Sequence, residues 1–299
     1  MFHGSMVALV TPMDEHGQID FSALQRLVDF HLKSGTDGII VAGTTGESPT
    51  LSESEFKQLL SSVVEQVDAH IPVLAGTGSA STASTITRTR LASELGADGA
   101  LVVTPYYNRP MQSGLIAHFN VLADASTIPL VIYNVPGRTS VDILPATVAE
   151  LAKRDEIVAI KEALPDMARI RQLISLCGPS LTVLSGDDPS CLEAFRNGAK
   201  GVVSVAANVV PGQFHAMYDH ARNNNWQKAV EIDDRLRHLY GMLAFETNPI
   251  PVKWALYKMA LIDKGIRLPL LPLSKKYHEK FEQGMKQMAR HEWTGINKT

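Results

Sequence analysis

The sequence predicts an α/β fold: a (β/α)8 TIM barrel over residues 1–224, followed by a C-terminal helical extension over residues 225–299. Three observations carry this. Short runs rich in Val, Ile, Leu and Ala recur along the chain, each too short for an independent helix and each bounded by Gly, Pro or Asp. Amphipathic segments with helical spacing lie between them. A weak internal repeat, SGTDGIIVAG (34–43), LGADGALVVT (95–104) and NGAKGVVSVA (197–206), places one Gly at a helix end and another just before a strand run.

In chain order the strand candidates are MVALVTP (6–12), GIIVAGTT (38–45), PVLAGTG (72–78), GALVVTP (99–105), PLVIYNVP (129–136), IVAIKEA (157–163), LTVLSGDD (181–188) and GVVSVAAN (201–208). Continuous apolar runs indicate strands buried on both faces, as in a parallel sheet covered by helices. FSALQRLVDFHLKSG (21–35), SESEFKQLLSSVVEQV (52–67) and TASTITRTRLASELG (82–96) supply helices, and Ser52 followed by Glu55 forms a capping box. Eight such units match the barrel in size. A doubly wound open sheet is the alternative, but it wants a phosphate-binding fingerprint after the first strand, and MVALVTPMDEHG lacks one. Beyond residue 225, NNNWQKAVEIDDRLRHLYGMLAF, PIPVKWALYKMALI and LSKKYHEKFEQGMKQMARHE read as three helices without intervening strands.

The chain has 299 residues, 45% hydrophobic and 20% charged, enough for a large core. A formal charge of −3 and the lack of any basic stripe argue against a nucleic-acid partner. No stretch approaches the length of a membrane span, and the N-terminus lacks a basic leader with a cleavage site, so a cytoplasmic protein without a membrane partner is expected. Cys177 and Cys191 form no C-x-x-C pair and read as buried, inert thiols. No H-E-x-x-H pair occurs; His215 and His220 read as helix-surface residues, and no metal is expected. The Ser-Gly-Asp-Asp run at 185–188 reads as helix capping.

Active sites of such barrels lie at the carboxyl ends of the strands. There the sequence presents Gly43-Thr44-Thr45-Gly46-Glu47, then Thr104-Pro105-Tyr106-Tyr107-Asn108, Tyr133-Asn134-Val135-Pro136-Gly137-Arg138 and Lys161-Glu162. Lys161 ends an apolar run, where an isolated charge is costly. A strand-end lysine taken at random reaches for water or pairs with a neighbour. Strict alternation places Lys161 with Ile157 and Ala159 and sends Glu162 to the other face, which argues for chemistry: a Schiff-base nucleophile attacks as the neutral amine. Tyr133 shares a face with Val131 and Val135 and suits proton transfer, although packing alone also accounts for it. Thr44 and Thr45 read either as turn residues or, with their glycines, as a carboxylate-binding loop. Arg138 is solvated surface or a fork for a substrate carboxylate.

With those residues in hand, the chain resembles the 4-hydroxy-tetrahydrodipicolinate synthase (dihydrodipicolinate synthase) family of the pyruvate-dependent class I aldolase superfamily. GTTGES (43–48), AGTG (75–78), VTPYYNRP (103–110), YNVPGRT (133–139), IKEA (160–163), LSGDD (184–188) and NPIPVKWAL (248–256) carry the resemblance over nearly the whole chain. It implies that Lys161 condenses with pyruvate and that Thr44, Tyr107 and Tyr133 form a proton relay, with Tyr107 reaching into a neighbouring subunit's site. Thr45 corresponds to the pyruvate-carboxylate contact and Arg138 to the contact for L-aspartate 4-semialdehyde. Gly186 and Val203 correspond to backbone contributors near the lysine, Val203 standing where isoleucine is often found. No external cofactor is implied, since the substrate is held on the lysine itself. The implied partner is a second copy of the chain, in a homotetramer built as a dimer of dimers.

The resemblance also implies an inhibitory L-lysine cleft, and here the chain departs from lysine-sensitive members. The matching positions are Ser48, Pro49, Glu53, Phe56, Ala80, Ser84 and Tyr106. Sensitive members commonly carry His at the positions of Glu53 and Phe56, Asn at Ala80 and Glu at Ser84. Two rivals remain: a sugar-acid aldolase of the same superfamily, with the same lysine and tyrosine, and a non-catalytic barrel that binds a metabolite.

Overall fold

The computed structural model describes residues 2–289. Eight parallel strands close into a barrel in sequential order, each paired with the next and the last with the first. They are β1 (Gly4–Ala8), β2 (Gly38–Val41), β3 (Val73–Gly76), β4 (Gly99–Val103), β5 (Leu130–Asn134), β6 (Ile157–Glu162), β7 (Thr182–Ser185) and β8 (Gly201–Ser204). Around them run α1 (Phe21–Lys33), α2 (Glu53–Val67), α3 (Thr82–Glu94), α4 (Gln112–Ala125), the single-turn α5 (Pro136–Thr139), α6 (Pro145–Leu151), α7 (Met167–Cys177), α8 (Cys191–Arg196) and α9 (Pro211–Arg222). The extension consists of α10 (Trp226–Leu243), α11 (Ile250–Lys258) and α12 (Lys275–Ala289). The rest of the expected extension, 290–299, lies outside the described residues. Among the described residues, no helix is long and apolar enough to cross a membrane.

Each expected strand is present, but most are shorter than their apolar runs. The trailing Thr-Pro, Gly-Thr-Thr and Val-Pro residues turn off the sheet, beginning after β2 at Ala42, whose φ is +53°. One boundary moves the other way. β1 starts at Gly4, ahead of the apolar run, because Gly4 and Ser5 pair with Gly201 and Val202. A Cβ on Gly4 would lie 2.5 Å from the Asp37 carboxylate, which itself accepts the Ser5 N–H, so the close approach requires glycine. The capping box of Ser52 and Glu55 is formed in both directions.

Two cores follow from the period of two in the strands. The outer one fills the space between barrel and helices. The inner one includes Phe2, Met6, Ile40, Leu74, Leu101, Val131, Ala159, Leu184 and Val203, so the barrel is packed rather than hollow. Phe2 plugs its N-terminal end against Gly99. Polar chemistry is thereby confined to the other end.

The expected alternation along β6 needs one correction. Ile157 does not share the inner face with Ala159 and Lys161; it belongs to the outer core. Leu130 is opposite Ile157 whereas Val131 is opposite Ala159, leaving Val158 as an extra residue in the ladder. This bulge shifts the phase of the strand. From Ala159 onward alternation holds, and Lys161 emerges inside while Glu162 emerges outside.

Candidate active site

At the C-terminal mouth a cavity of about 220 Å³ is lined by six of the expected residues: Thr44, Thr45, Tyr133, Arg138, Lys161 and Gly186. Ala8, Ile40, Leu101 and Val135 supply the apolar part of its lining. A larger groove of about 350 Å³ lies on the outside, along α2 and α3. It brings together no nucleophile and acid–base pair, so size alone does not locate the chemistry.

Lys161 is 5% exposed and Tyr133 7%. They are direct register partners on β6 and β5, and the lysine Nζ lies 4.3 Å from the centre of the tyrosine ring. The neighbouring acid is not the lysine's partner. Glu162 points outward, where Arg169 Nε donates to its Oε2 at 2.6 Å and Asn134 Nδ2 donates to it at 3.0 Å. Burial pushes the Glu162 carboxyl above its ordinary range, against the pull of the Arg169 guanidinium. Arg169 also reaches Asp142 and the Ile143 carbonyl, which ties α7 to the segment after β5. With Glu162 so engaged, the amine on the inner face is left to the cavity.

Gly186 is required by space. A Cβ there would lie 2.9 Å from Lys161 Cε and 3.0 Å from Ala163 Cβ, so glycine lets the end of β7 approach the lysine stem. The two aspartates that follow have separate roles. Asp187 accepts the Ser190 N–H at 3.1 Å and closes the turn before α8, whose own N-cap is Ser190, rather than capping the helix directly as expected. Asp188 instead spans to the turn that follows β8, accepting the Val205 and Ala206 N–H groups at 3.1 and 2.8 Å. Enclosure by protein pushes its carboxyl up to about 6.

Two expected residues are not in the cavity wall. Val203 lies within the packed inner core, 1% exposed, and Val205 borders the cavity in its place. Tyr107 is 94% exposed in the loop after β4, with φ at +72°, and touches none of this chain's own cavity. The expected inhibitory-cleft residues divide similarly. Glu53 and Ser84 line the outer groove together with Arg88, whose guanidinium sits 4.2 Å above the Phe56 ring. Ser48 opens the turn before α2, the Ala80 carbonyl accepts from Asn108, and Tyr106 is exposed.

The sequence reading missed Asn248. Its Nδ2 donates to Thr45 Oγ1 at 3.0 Å, and its carbonyl accepts from Arg138 Nη2 at 3.1 Å. It therefore bridges two cavity residues, and its Oδ1 is buried without a hydrogen-bond partner. The signal present in the sequence was Asn-Pro-Ile-Pro, a chain break between two helical segments.

Among the described residues no group of three or more His, Cys, Asp or Glu is placed to hold a metal. Cys177 and Cys191 are free and buried, and burial pushes both thiols up, away from the reactive thiolate. A closed parallel barrel whose mouth faces a buried amine with a phenol has the architecture of a lysine-nucleophile barrel enzyme. The model of the dihydrodipicolinate synthetase family matches residues 1–288, and the chain belongs to that family. It is 52% identical over 287 residues to a 4-hydroxy-tetrahydrodipicolinate synthase of Nitrosococcus oceani, covering 96% of this chain and 98% of that protein. A Coxiella burnetii protein of the same name is 50% identical over 289 residues, covering 97% and 99%. Among solved structures, the chloride-inhibited dihydrodipicolinate synthase of Acinetobacter baumannii in complex with pyruvate superposes with a TM-score of 0.95 at 43% identity, over 97% of this chain and 99% of that one. A monomeric dihydrodipicolinate synthase variant superposes with a TM-score of 0.94 at 41% identity, over 96% and 97%.

Proposed function

We propose that the protein condenses pyruvate with L-aspartate 4-semialdehyde to give 4-hydroxy-tetrahydrodipicolinate, a step towards diaminopimelate and lysine. Lys161 attacks the pyruvate ketone as the free amine, and loss of water gives an iminium that serves as electron sink. Loss of a methyl proton yields the enamine, whose carbon attacks the aldehyde. The substrate's own amine then displaces Lys161 by transimination, closing the six-membered ring and freeing the enzyme. The lysine takes the place of an external cofactor, and the reaction is assigned to the cytoplasm.

The observation that carries this reading is the Lys161–Tyr133 pair: a buried amine 4.3 Å from a phenol ring, at the mouth of a packed barrel, while the adjacent carboxylate is held elsewhere. Tyr133, with Thr44 and a partner copy's tyrosine from the exposed loop that carries Tyr107, passes protons between intermediates. Thr45 and the amides of its loop hold the pyruvate carboxylate. Arg138 at the rim takes the carboxylate of the aldehyde substrate, and Asn248 beside it offers a free carbonyl oxygen to that substrate's amine. Gly186 leaves room for the lysine stem, and Val203 contributes through its main chain.

A sugar-acid aldolase would keep Lys161 and Tyr133 but place polar side chains for a longer, hydroxylated aldehyde. The rim arginine favours a substrate that carries a carboxylate, and the cavity of about 220 Å³ favours a short one. Parallel assays of pyruvate with aspartate semialdehyde and with aldoses decide between them. Turnover with the semialdehyde is expected; turnover confined to the aldoses sinks the assignment.

A further inference from the structure

We infer that Lys253, on the first turns of α11, is a positioning residue for the reaction, acting through Glu47 on the Thr44–Thr45 loop. The inference rests on the function proposed above and extends it to the C-terminal extension.

Glu47 and Lys253 form an ion pair with side chains 1% and 3% exposed. They are 206 residues apart in the chain. A buried pair of this kind gives little net stability, because desolvating both ions offsets their attraction. Burial pulls the Lys253 ammonium below its usual range, while the Glu47 carboxylate works against that. Stability alone is therefore a weak reason for the pair, and its location supplies a better one.

Glu47 closes the Gly43–Glu47 loop with its backbone in the left-handed region, φ +58°. Its N–H donates to the Thr44 carbonyl at 3.1 Å, so any displacement of Glu47 is passed to the cavity threonine. The second carboxylate oxygen accepts the Arg267 N–H at 3.0 Å. The Arg267 side chain in turn holds the Thr50 carbonyl at 2.7 Å and Glu55 at 2.9 Å. Glu47 is thus clamped from two sides by the extension. Five residues before Lys253, Asn248 ties the same extension to Thr45 and Arg138. One rigid segment therefore fixes the pyruvate-carboxylate loop and the rim arginine relative to each other. Positional errors of this kind are costly to an enzyme, since reacting groups must be held to within about 0.5 Å.

The test uses the full-length protein with pyruvate and borohydride, reading the pyruvate concentration that gives half-maximal trapping on Lys161. The double variant Glu47→Gln with Lys253→Met removes both charges and keeps both shapes. Its thermal midpoint is expected to stay near that of the wild type. Trapping at saturating pyruvate is also retained, whereas the half-saturating concentration rises about tenfold, the equivalent of one weakened charge-assisted hydrogen bond. An unchanged half-saturation at an unchanged midpoint overturns the positioning role. If the double variant does not fold, Glu47→Asp serves in its place. It keeps both charges but is one methylene short, so the loop must shift towards α11 and half-saturation must rise; an unchanged value again overturns the proposal. The wild type is the control for the underlying reading: no pyruvate adduct on the wild type defeats the proposed function, whereas a wild-type adduct with unaltered variants defeats only the role of Lys253.

Discussion

Lys161 and Tyr133 occupy one rung of the barrel, and the next rung locks them in place from outside. Asn134 and Glu162 are register partners immediately beyond them, and their side chains bond across the two strands on the outer face. Arg169 from α7 neutralises Glu162 there. Sliding β5 against β6 would break this buried network, and removing one charge of such a pair typically costs about 3–5 kcal/mol. The separation of amine and phenol is therefore set by groups that never touch the cavity.

Arg138→Ala should separate the two half-reactions. Arg138 stands at the rim, bonded to the Asn248 carbonyl, whereas Lys161 and Thr45 lie deeper. Loss of one charge-assisted contact weakens binding of the aldehyde substrate roughly tenfold to over a hundredfold. Pyruvate trapping on Lys161 should change far less. Equal losses in both assays would contradict a division of labour between two anion sites.

Asp188 predicts a pH effect on stability. Its carboxyl is held up to about 6 in the fold, against an ordinary value of 3.8, chiefly by burial. A raised carboxyl value means the charged form is disfavoured in the native state, so the native protein binds a proton that the unfolded chain does not between those values. The contribution of Asp188 to stability should therefore rise as pH falls from above 6 towards 4. Thermal midpoints of wild type and Asp188→Asn, compared from pH 7.5 to 4.5, isolate it, because the variant lacks this titration. A constant difference between the two across that range would show that Asp188 does not titrate as described.

Much of this was legible in the sequence. The eight strands were visible because parallel strands buried on both faces are continuous apolar runs, and Lys161 stood out because, apart from the adjacent Glu162, nothing in its run is polar. The ends of the runs were overread, since threonine and glycine in a strand-end loop look like the strand itself. Ile157 was misassigned because the Val158 bulge depends on pairing with β5, which no local pattern encodes. Asn248 and Lys253 were missed because their partners are far off in sequence: Arg138 is 110 residues from Asn248, and Glu47 is 206 from Lys253. Lys253 read simply as part of a helix and Asn248 as the residue before it, although both stand in the NPIPVKWAL segment that carries the resemblance.

Free L-lysine should inhibit weakly or not at all. The outer groove carries Arg88 over the Phe56 ring, and its one acid, Glu53, is already 3.4 Å from Lys57. Arg88 opposes the two ammonium groups of an incoming lysine, Lys57 already engages the acid, and Ala80 and Ser84 provide no compensating carboxylate. A dose-response at saturating pyruvate tests this. Strong inhibition at submillimolar lysine would show that Glu53 abandons Lys57 to bind the ligand.

Tyr107 predicts that activity requires assembly. It is 94% exposed, and Met111 nearby is 78% exposed, a surface suited to a second copy of the chain. A tetramer of two tight dimers is expected by sedimentation, with Tyr107→Phe reducing turnover while leaving assembly intact. A species of monomer mass that retains full activity would remove the shared-site role.

The most direct test of the central claim is borohydride reduction of the protein with pyruvate, followed by peptide mass mapping. A single adduct is expected, with the mass of reduced pyruvate, on the peptide containing Lys161, and none after Lys161→Ala. No added mass, or an adduct on any other lysine, would contradict the mechanism.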